Sequence, residues 1–325
     1  MDYVLGVLIL LLIYVILTVT ANLIVGYAGL FSVAHAAVFG IGAYVTTILM
    51  VDHGLNFFLT VPFAVAMASV TGSLIAIPAV RLVGFYLAIA SFGLQFVIMS
   101  LMLNLKGFTR GADGIPGIPN ASLFGFKFGS RESMLILVAV LAAITVILLW
   151  RLVNSPFGRV LRAVRDDEIA AAAMGKPVVR YKVLAYSIGS GLAALAGSAY
   201  AAYYRYVDPS AFDVKESIFI LSMVVIGGSG SIRGSLAGAT VLVLTPEVLR
   251  MAHLPNSITS SVRQIISGLL LTVFMLWRPQ GLIPEHSRRR KQTEAIPVAE
   301  TTVASSSGPL PNLPDSAHGD GREDG

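Results

Sequence analysis

YVLGVLILLLIYVILTVTANLIV, residues 3–25, contains no charged side chain. Crossing a hydrocarbon core takes about 20 helical residues at ~1.5 Å rise each, so this run is long enough to span a bilayer. Its apolar residues are continuous and do not alternate with polar ones, which favours a helix over the strand of a membrane barrel. Similar runs recur at 36–51, 57–80, 84–104, 133–153, 183–203, 217–228, 235–251 and 261–278. The pattern predicts an all-α, polytopic integral membrane protein with about 8–10 transmembrane helices. Runs 36–51 and 217–228 are short, and each reads either as a full span or as a half-helix packed inside the protein.

Composition agrees. Of 325 residues, 55% are hydrophobic and 13% charged, against about a quarter charged in a soluble domain. The formal net charge of +5 does not indicate nucleic acid, because the basic residues sit in short connections between apolar runs, where they act as topology signals. With no cysteine, disulfides, thiolate catalysis and cysteine-held metals are excluded, and redox compartment cannot be inferred. Met1-Asp2-Tyr3 lacks a basic n-region and leads straight into the first run, which reads as a retained span and not a cleaved signal.

Arginine and lysine orient the chain. Residues 154–182 hold Arg159, Arg162, Arg165, Lys176, Arg180 and Lys182, and Arg288, Arg289, Arg290 and Lys291 come after the last run. Both regions are expected on the cytoplasmic face. An even number of crossings must then separate them, so 217–251 must break and return at Gly227-Gly228-Ser229-Gly230. Counting back places the N-terminus and the 106–132 loop outside. The chain divides into a transmembrane domain, 1–283, and a Pro-, Ser-, Gly- and acid-rich tail, 284–325, with too little apolar content to offset ordering entropy. The tail is expected to be disordered and cytoplasmic, its basic start anchoring topology or touching anionic lipid heads.

SPFGRVLRAVRDDEIAAAAMGKPVVRY, residues 155–181, is polar yet lies between two long runs. Ser155 as N-cap, Pro156 at the first helical position, Gly175 at the end and Pro177 beyond predict one helix of about 19 residues. Val160, Leu161, Val164, Ala171 and Met174 form its apolar stripe, and Arg162–Asp166 and Arg165–Glu168 stand at helical pairing distance. Such a helix either rests on lipid or docks in a groove on a soluble partner; pattern alone leaves both open.

The same stretch resembles the cytoplasmic loop of permeases of ATP-binding-cassette (ABC) importers. The match is Asp167-Glu168-Ile169-Ala170-Ala171 with Gly175, and GRVLRAVRDDEIAAAAMG is very similar to the branched-chain amino acid permeases, in particular their LivM-like half. Four further segments resemble that family in order: residues 26–32 with 35–44, residues 84–89, residues 109–115, and residues 225–234. The resemblance implies an ABC importer permease fold and translocation of branched-chain amino acids or related small molecules across a bacterial inner membrane. Arg159, Arg162, Arg165, Asp166, Asp167, Glu168, Ala170, Ala171 and Gly175 would form the ATPase-coupling loop. It also implies two ATP-binding subunits, a second, LivH-like permease and an extracytoplasmic substrate-binding protein.

A phosphate-binding loop needs Gly-x-x-x-x-Gly-Lys-Ser/Thr. The sole Gly-Lys, Gly175-Lys176, runs into Pro177, so ATP and Mg are expected on the partner ATPases, with no cofactor, metal or catalytic residue in this chain. A self-sufficient, ion-gradient-driven transporter is the rival class; it would carry an intramembrane acidic or histidine relay and inverted halves.

Asn22, Ser32, His35, Gly40, Gly42 and Gln95 are candidates for the translocation path. Gly26, Gly29, Gly40 and Gly42 either mark a helix break that binds a zwitterion or permit close helix packing. Asn22, His35, Gln95 and Asn104 read as interhelical hydrogen bonds or as ligand contacts. Glu247 and Arg250 read as a pair, a gate or a binding-protein contact. Gly234 and Gly238 form a GxxxG approach, across a permease dimer or within the chain. Gly227–Gly230 also matches a Gly-x-Ser-Gly protease pattern, but its only downstream membrane-region histidine, His253, is expected on the face opposite Ser229.

Overall fold

The computed structural model describes residues 2–82, 84–123, 126–251, 268–269, 272 and 281–283. Helix α1, Asp2–Asn22, continues without interruption into a π-helical turn, Leu23–Tyr27. The chain is non-helical through 28–34 and re-enters helix as α2, His35–Val51. Then come α3 (Phe57–Ala79), α4 (Phe85–Asn104), the short α5 (Lys106–Thr109) and α6 (Arg131–Asn154). Beyond these lie α7 (Pro156–Asp166), α8 (Glu168–Ala173), α9 (Val178–Tyr204), α10 (Val214–Gly227) and α11 (Ile232–Met251). Two-residue strands brace the connections: β1 (Ile115–Pro116), β2 (Ser122–Leu123), β3 (Phe126–Lys127) and β4 (Tyr206–Val207), with β1 pairing β4 and β2 pairing β3, both antiparallel.

Among the described residues, Asp2–Tyr27, α3, α4, α6 and α9 are long and apolar enough to cross a membrane, while α2 and residues 232–245 are shorter apolar helices. Phe63, Leu74, Phe96, Ile136 and Ile147 lie exposed along α3, α4 and α6, an apolar surface suited to lipid and costly in water.

The centre is built around α9, whose second half is largely Gly, Ala and Ser. Without a hydrophobic drive between helices in lipid, small residues matter because they let backbones approach. A Cβ on Gly42 of α2 would sit 2.5 Å from Ala194 Cα, and one on Gly197 would sit 2.3 Å from the Phe39 carbonyl oxygen. Gly42 thus serves helix packing.

Contacts define two ends. At one, Arg131 donates to the Asp2 carbonyl, Tyr3 to the Glu247 carboxylate, and β1 pairs with β4. At the other, α7, the π turn and the α10–α11 turn meet. The expected break at Gly227–Gly230 is present: α10 ends at Gly227, and Gly228 and Gly230 take φ of +117° and +80°, which glycine adopts without steric cost.

Several expectations are corrected. The single 19-residue helix is two, because Asp167 takes an extended backbone and its carboxylate caps α8, accepting from Ala170 N–H at 2.9 Å. Ser155 does not cap α7; its hydroxyl donates to the Leu152 carbonyl at 2.6 Å. Met174 leaves the apolar stripe and is 76% exposed. The close helix approach expected of Gly234 and Gly238 is present, and it is made within the chain: a Cβ on Gly238 would lie 2.1 Å from the Met223 carbonyl oxygen of α10. The 261–278 run, except Gly268, Leu269 and Thr272, lies outside the described residues, as do His253, the Arg250 side chain and the 284–325 tail.

Candidate functional site

Residues 155–182 form a compact polar segment at one end of the helices. Leu161, Val164 and Ala171 are buried beneath it, and Phe157 stacks on Tyr181 with ring centroids 5.3 Å apart. Its outer side carries Arg159, Asp166, Asp167, Glu168 and Ala170, all exposed, together with Ile169 at 84% exposure. Gly175, at φ +74°, closes α8, and Lys176 N–H reaches back to the Ala171 carbonyl at 3.1 Å. That is the glycine-terminated C-cap expected for this position.

Three cations of this region point inward. Arg162 donates to the Val153 carbonyl at 3.3 Å. Lys182, 4% exposed on α9, pairs with the half-exposed Glu168. Arg165 pairs with Asp166 at 3.3 Å and donates through Nη1 to the Gly26 carbonyl in the π turn at 2.6 Å. A hydrogen bond from a charged donor contributes about 1.5–3 kcal/mol, roughly twice a neutral one.

Inside the helices, α2 begins level with Thr20 of α1, whose hydroxyl lies 3.0 Å from His35 Nε2. A helix starting inside the protein leaves its first N–H groups without water, and they need protein acceptors. Side chains from elsewhere supply them. In the first turn Ser217 of α10 accepts from Ala36 N–H at 2.9 Å and Gln95 Oε1 from Ala37 N–H at 2.9 Å, and just before the helix Ser91 of α4 accepts from Val33 N–H at 3.0 Å. Gln95 also donates to the Phe212 carbonyl at 2.7 Å, and Ser32 shares a 2.8 Å hydrogen bond with Tyr186.

Beside this junction lies a cavity of about 10 Å³ lined by Ala21, Ile24, Val25, Ser32, His35, Ser217, Ile220 and Leu221. That is room for about one water, far too little for an amino acid. Of the path candidates, Ser32 and His35 line it, and Gln95 reaches it through Ser217 at 3.3 Å. Gly40 packs elsewhere, since a Cβ there would meet Phe212 Cγ at 2.8 Å.

Asn22 stands apart as a clamp. Its amide donates to the Ser231 carbonyl at 3.0 Å and Ser235 Oγ at 2.7 Å, while Oδ1 accepts from Gly230 N–H at 2.8 Å. Asn104 bonds Ser100 on its own helix, at 2.8 Å to the carbonyl. Sequence reasoning missed Ser91, Ser217 and Tyr186. Ser217, a hydroxyl opening an apolar run, carried the one available signal.

The fold and this arrangement define an all-α, multi-pass membrane protein with a polar two-helix segment at one end. The chain belongs to the family described as branched-chain amino acid transport system / permease component, whose profile matches residues 3–275. It is 34% identical over 296 residues to the high-affinity branched-chain amino acid transport system permease protein LivM of Escherichia coli (strain K12), covering 84% of this chain and 68% of that protein. It is 25% identical to LivH of the same organism over 288 residues, 83% of this chain and 91% of LivH. The ribose import permease protein RbsC of Bacillus subtilis (strain 168) is similar over a shorter stretch, 29% over 170 residues, half of each chain. No solved structure matches. Family membership favours a transport component of an importer over the ion-gradient rival.

Proposed function

We propose that this chain is one of two permease subunits of an ATP-driven importer that moves branched-chain amino acids or related small molecules across a bacterial inner membrane. The observation that carries the reading is the α7–α8 segment. Its underside is buried on the helices, and its outer side presents Ile169, Met174 and a row of charges. Apolar knobs rimmed by charge suit a groove on a soluble protein. MgATP would be bound and hydrolysed on two partner ATPase subunits at this face. A LivH-like second permease and an extracytoplasmic substrate-binding protein complete the assembly. The α7–α8 end and the tail are then cytoplasmic, and the end holding Asp2, Arg131 and β1–β4 faces outward.

The cavity fits a closed state of a route that opens when helices shift, with Ser32, His35 and Gln95 facing the solute. Movement of α7–α8 with the ATPases supplies the shift.

The test is reconstitution in liposomes. The full assembly should take up labelled leucine with MgATP and binding protein, and the purified chain alone should not. Glu168→Ala and Gly175→Ala should lower leucine taken up per ATP hydrolysed while leaving membrane insertion intact. Uptake by the lone chain on a proton or sodium gradient, without nucleotide, would overturn the reading.

A further inference from the structure

Arg165 belongs to the coupling segment by sequence, yet its side chain runs away from the outer side. It is 24% exposed, and its Nη1 donates to the Gly26 carbonyl across 139 positions of chain. The aliphatic stem lies across Gly29, where a Cβ would come within 2.9 Å of Arg165 Cγ and where φ is +70°. Glycine is therefore required at 29 twice over: for the backbone conformation and for the room the arginine takes.

The carbonyl it holds is a special one. In the turn Leu23–Tyr27, Ala28 N–H bonds the Leu23 carbonyl at 3.0 Å, five residues back, and Leu30 N–H bonds Ile24 at 3.0 Å, six back. A π turn of this kind is a rare alternative to the ordinary helical register and recurs at functional sites. Returning it to α-helical register rotates the adjoining chain by about 100° per residue of slip. Ile24 and Val25, the two residues before Gly26, form one wall of the interior cavity. The same turn touches α10–α11, since a Cβ on Gly26 would lie 2.3 Å from Gly230 N.

We propose that Arg165 is a positioning residue that carries displacement of the α7–α8 segment to the cavity wall, through its hydrogen bond to the Gly26 carbonyl and its contact across Gly29. When α7 moves, the guanidinium pulls on or releases the π turn, and Ile24 and Val25 move with it. Arg165 is then an internal strut, distinct from the outer residues that face the ATPase. This role rests on the functional reading of the chain as an ATP-driven permease.

The test uses the full assembly in liposomes with MgATP, binding protein and labelled leucine. In Arg165→Met, leucine taken up per ATP hydrolysed is expected to fall at least tenfold, and in Arg165→Lys by less, since an ammonium offers a point donor without the planar fork. A second readout reports on the wall directly. The chain has no cysteine, so Leu221→Cys places a single thiol in the lining. Its reaction rate with a small thiosulfonate should differ at least fivefold between nucleotide-free and vanadate-trapped assemblies, and less than twofold when Arg165→Met is added. An unaltered uptake ratio and thiol response in Arg165→Met would overturn the proposal. So would loss of ATPase binding, which would make Arg165 a docking contact. If Arg165→Met does not accumulate, Arg165→Lys is read by the same two measurements, and wild-type values overturn the role. Failure of the wild-type assembly to take up leucine with ATP would sink the functional reading itself.

Discussion

Asn22 shows what one polar side chain does inside an apolar helix. It joins α1 to a turn 208 positions away, satisfying Gly230 N–H while its own amide is satisfied by Ser231 and Ser235. Asn22→Ala leaves the Gly230 N–H without its acceptor, while the Ser231 carbonyl and the Ser235 hydroxyl keep the hydrogen bonds they make to each other. We expect a loss of about 1–3 kcal/mol, read as a lowered midpoint of thermal unfolding in detergent. A loss under about 1 kcal/mol would mean water reaches the clamp. Gly42→Ala tests packing separately: the added methyl meets Ala194 Cα at 2.5 Å and should cost about 1–3 kcal/mol in the same measurement. At this scale the sequence was half legible. Asn22, His35 and Gln95 stand out as polar residues in apolar runs, and each proved fully or nearly buried and hydrogen-bonded. Their partners were not legible, because they lie up to 213 positions away, and no local pattern encodes such a distance.

At the scale of the element, the coupling segment behaves as two helices joined at a capped corner. Asp167→Ala removes the N-cap of α8 and should cost about 1 kcal/mol, detected as faster proteolytic nicking near 166–168. Lys182 is the less visible half of the corner. In sequence it reads as one more topology-setting cation beside Arg180, yet it is buried and paired with Glu168. Removing the carboxylate alone leaves a buried ammonium without its partner, whereas removing both charges does not. Glu168→Gln should therefore destabilise by about 1–3 kcal/mol more than Glu168→Gln combined with Lys182→Met. Equal losses would show the pair to be solvent-screened. The helix ends Pro156 and Gly175 were legible from local chemistry. The break at Asp167 was overlooked because two acids in a row also suit a continuous helix surface.

For the whole molecule, class and approximate spans were legible from hydropathy, since a bilayer imposes length and backbone satisfaction on anything that crosses it. The interior start of α2 was not, because a half-helix and a short span share the same composition. Orientation is open to direct measurement. In a chain free of native thiols, single cysteines at the exposed positions Ser130 and Lys176 should react with an impermeant reagent from opposite sides of intact cells. Ser130 should label from outside and Lys176 only after permeabilisation; the reverse order would invert the topology.

The borrowed caps of α2 also set a timetable for biogenesis. The acceptor for Ala36 N–H is on Ser217, 181 residues later in the chain. At a synthesis rate of about 5–20 residues per second, that hydroxyl emerges roughly 10–35 s after the amide it must meet. Until then the start of α2 cannot settle at its final depth in a dry environment, and a nascent chain arrested before Ser217 should still offer this region to water or to an insertion factor.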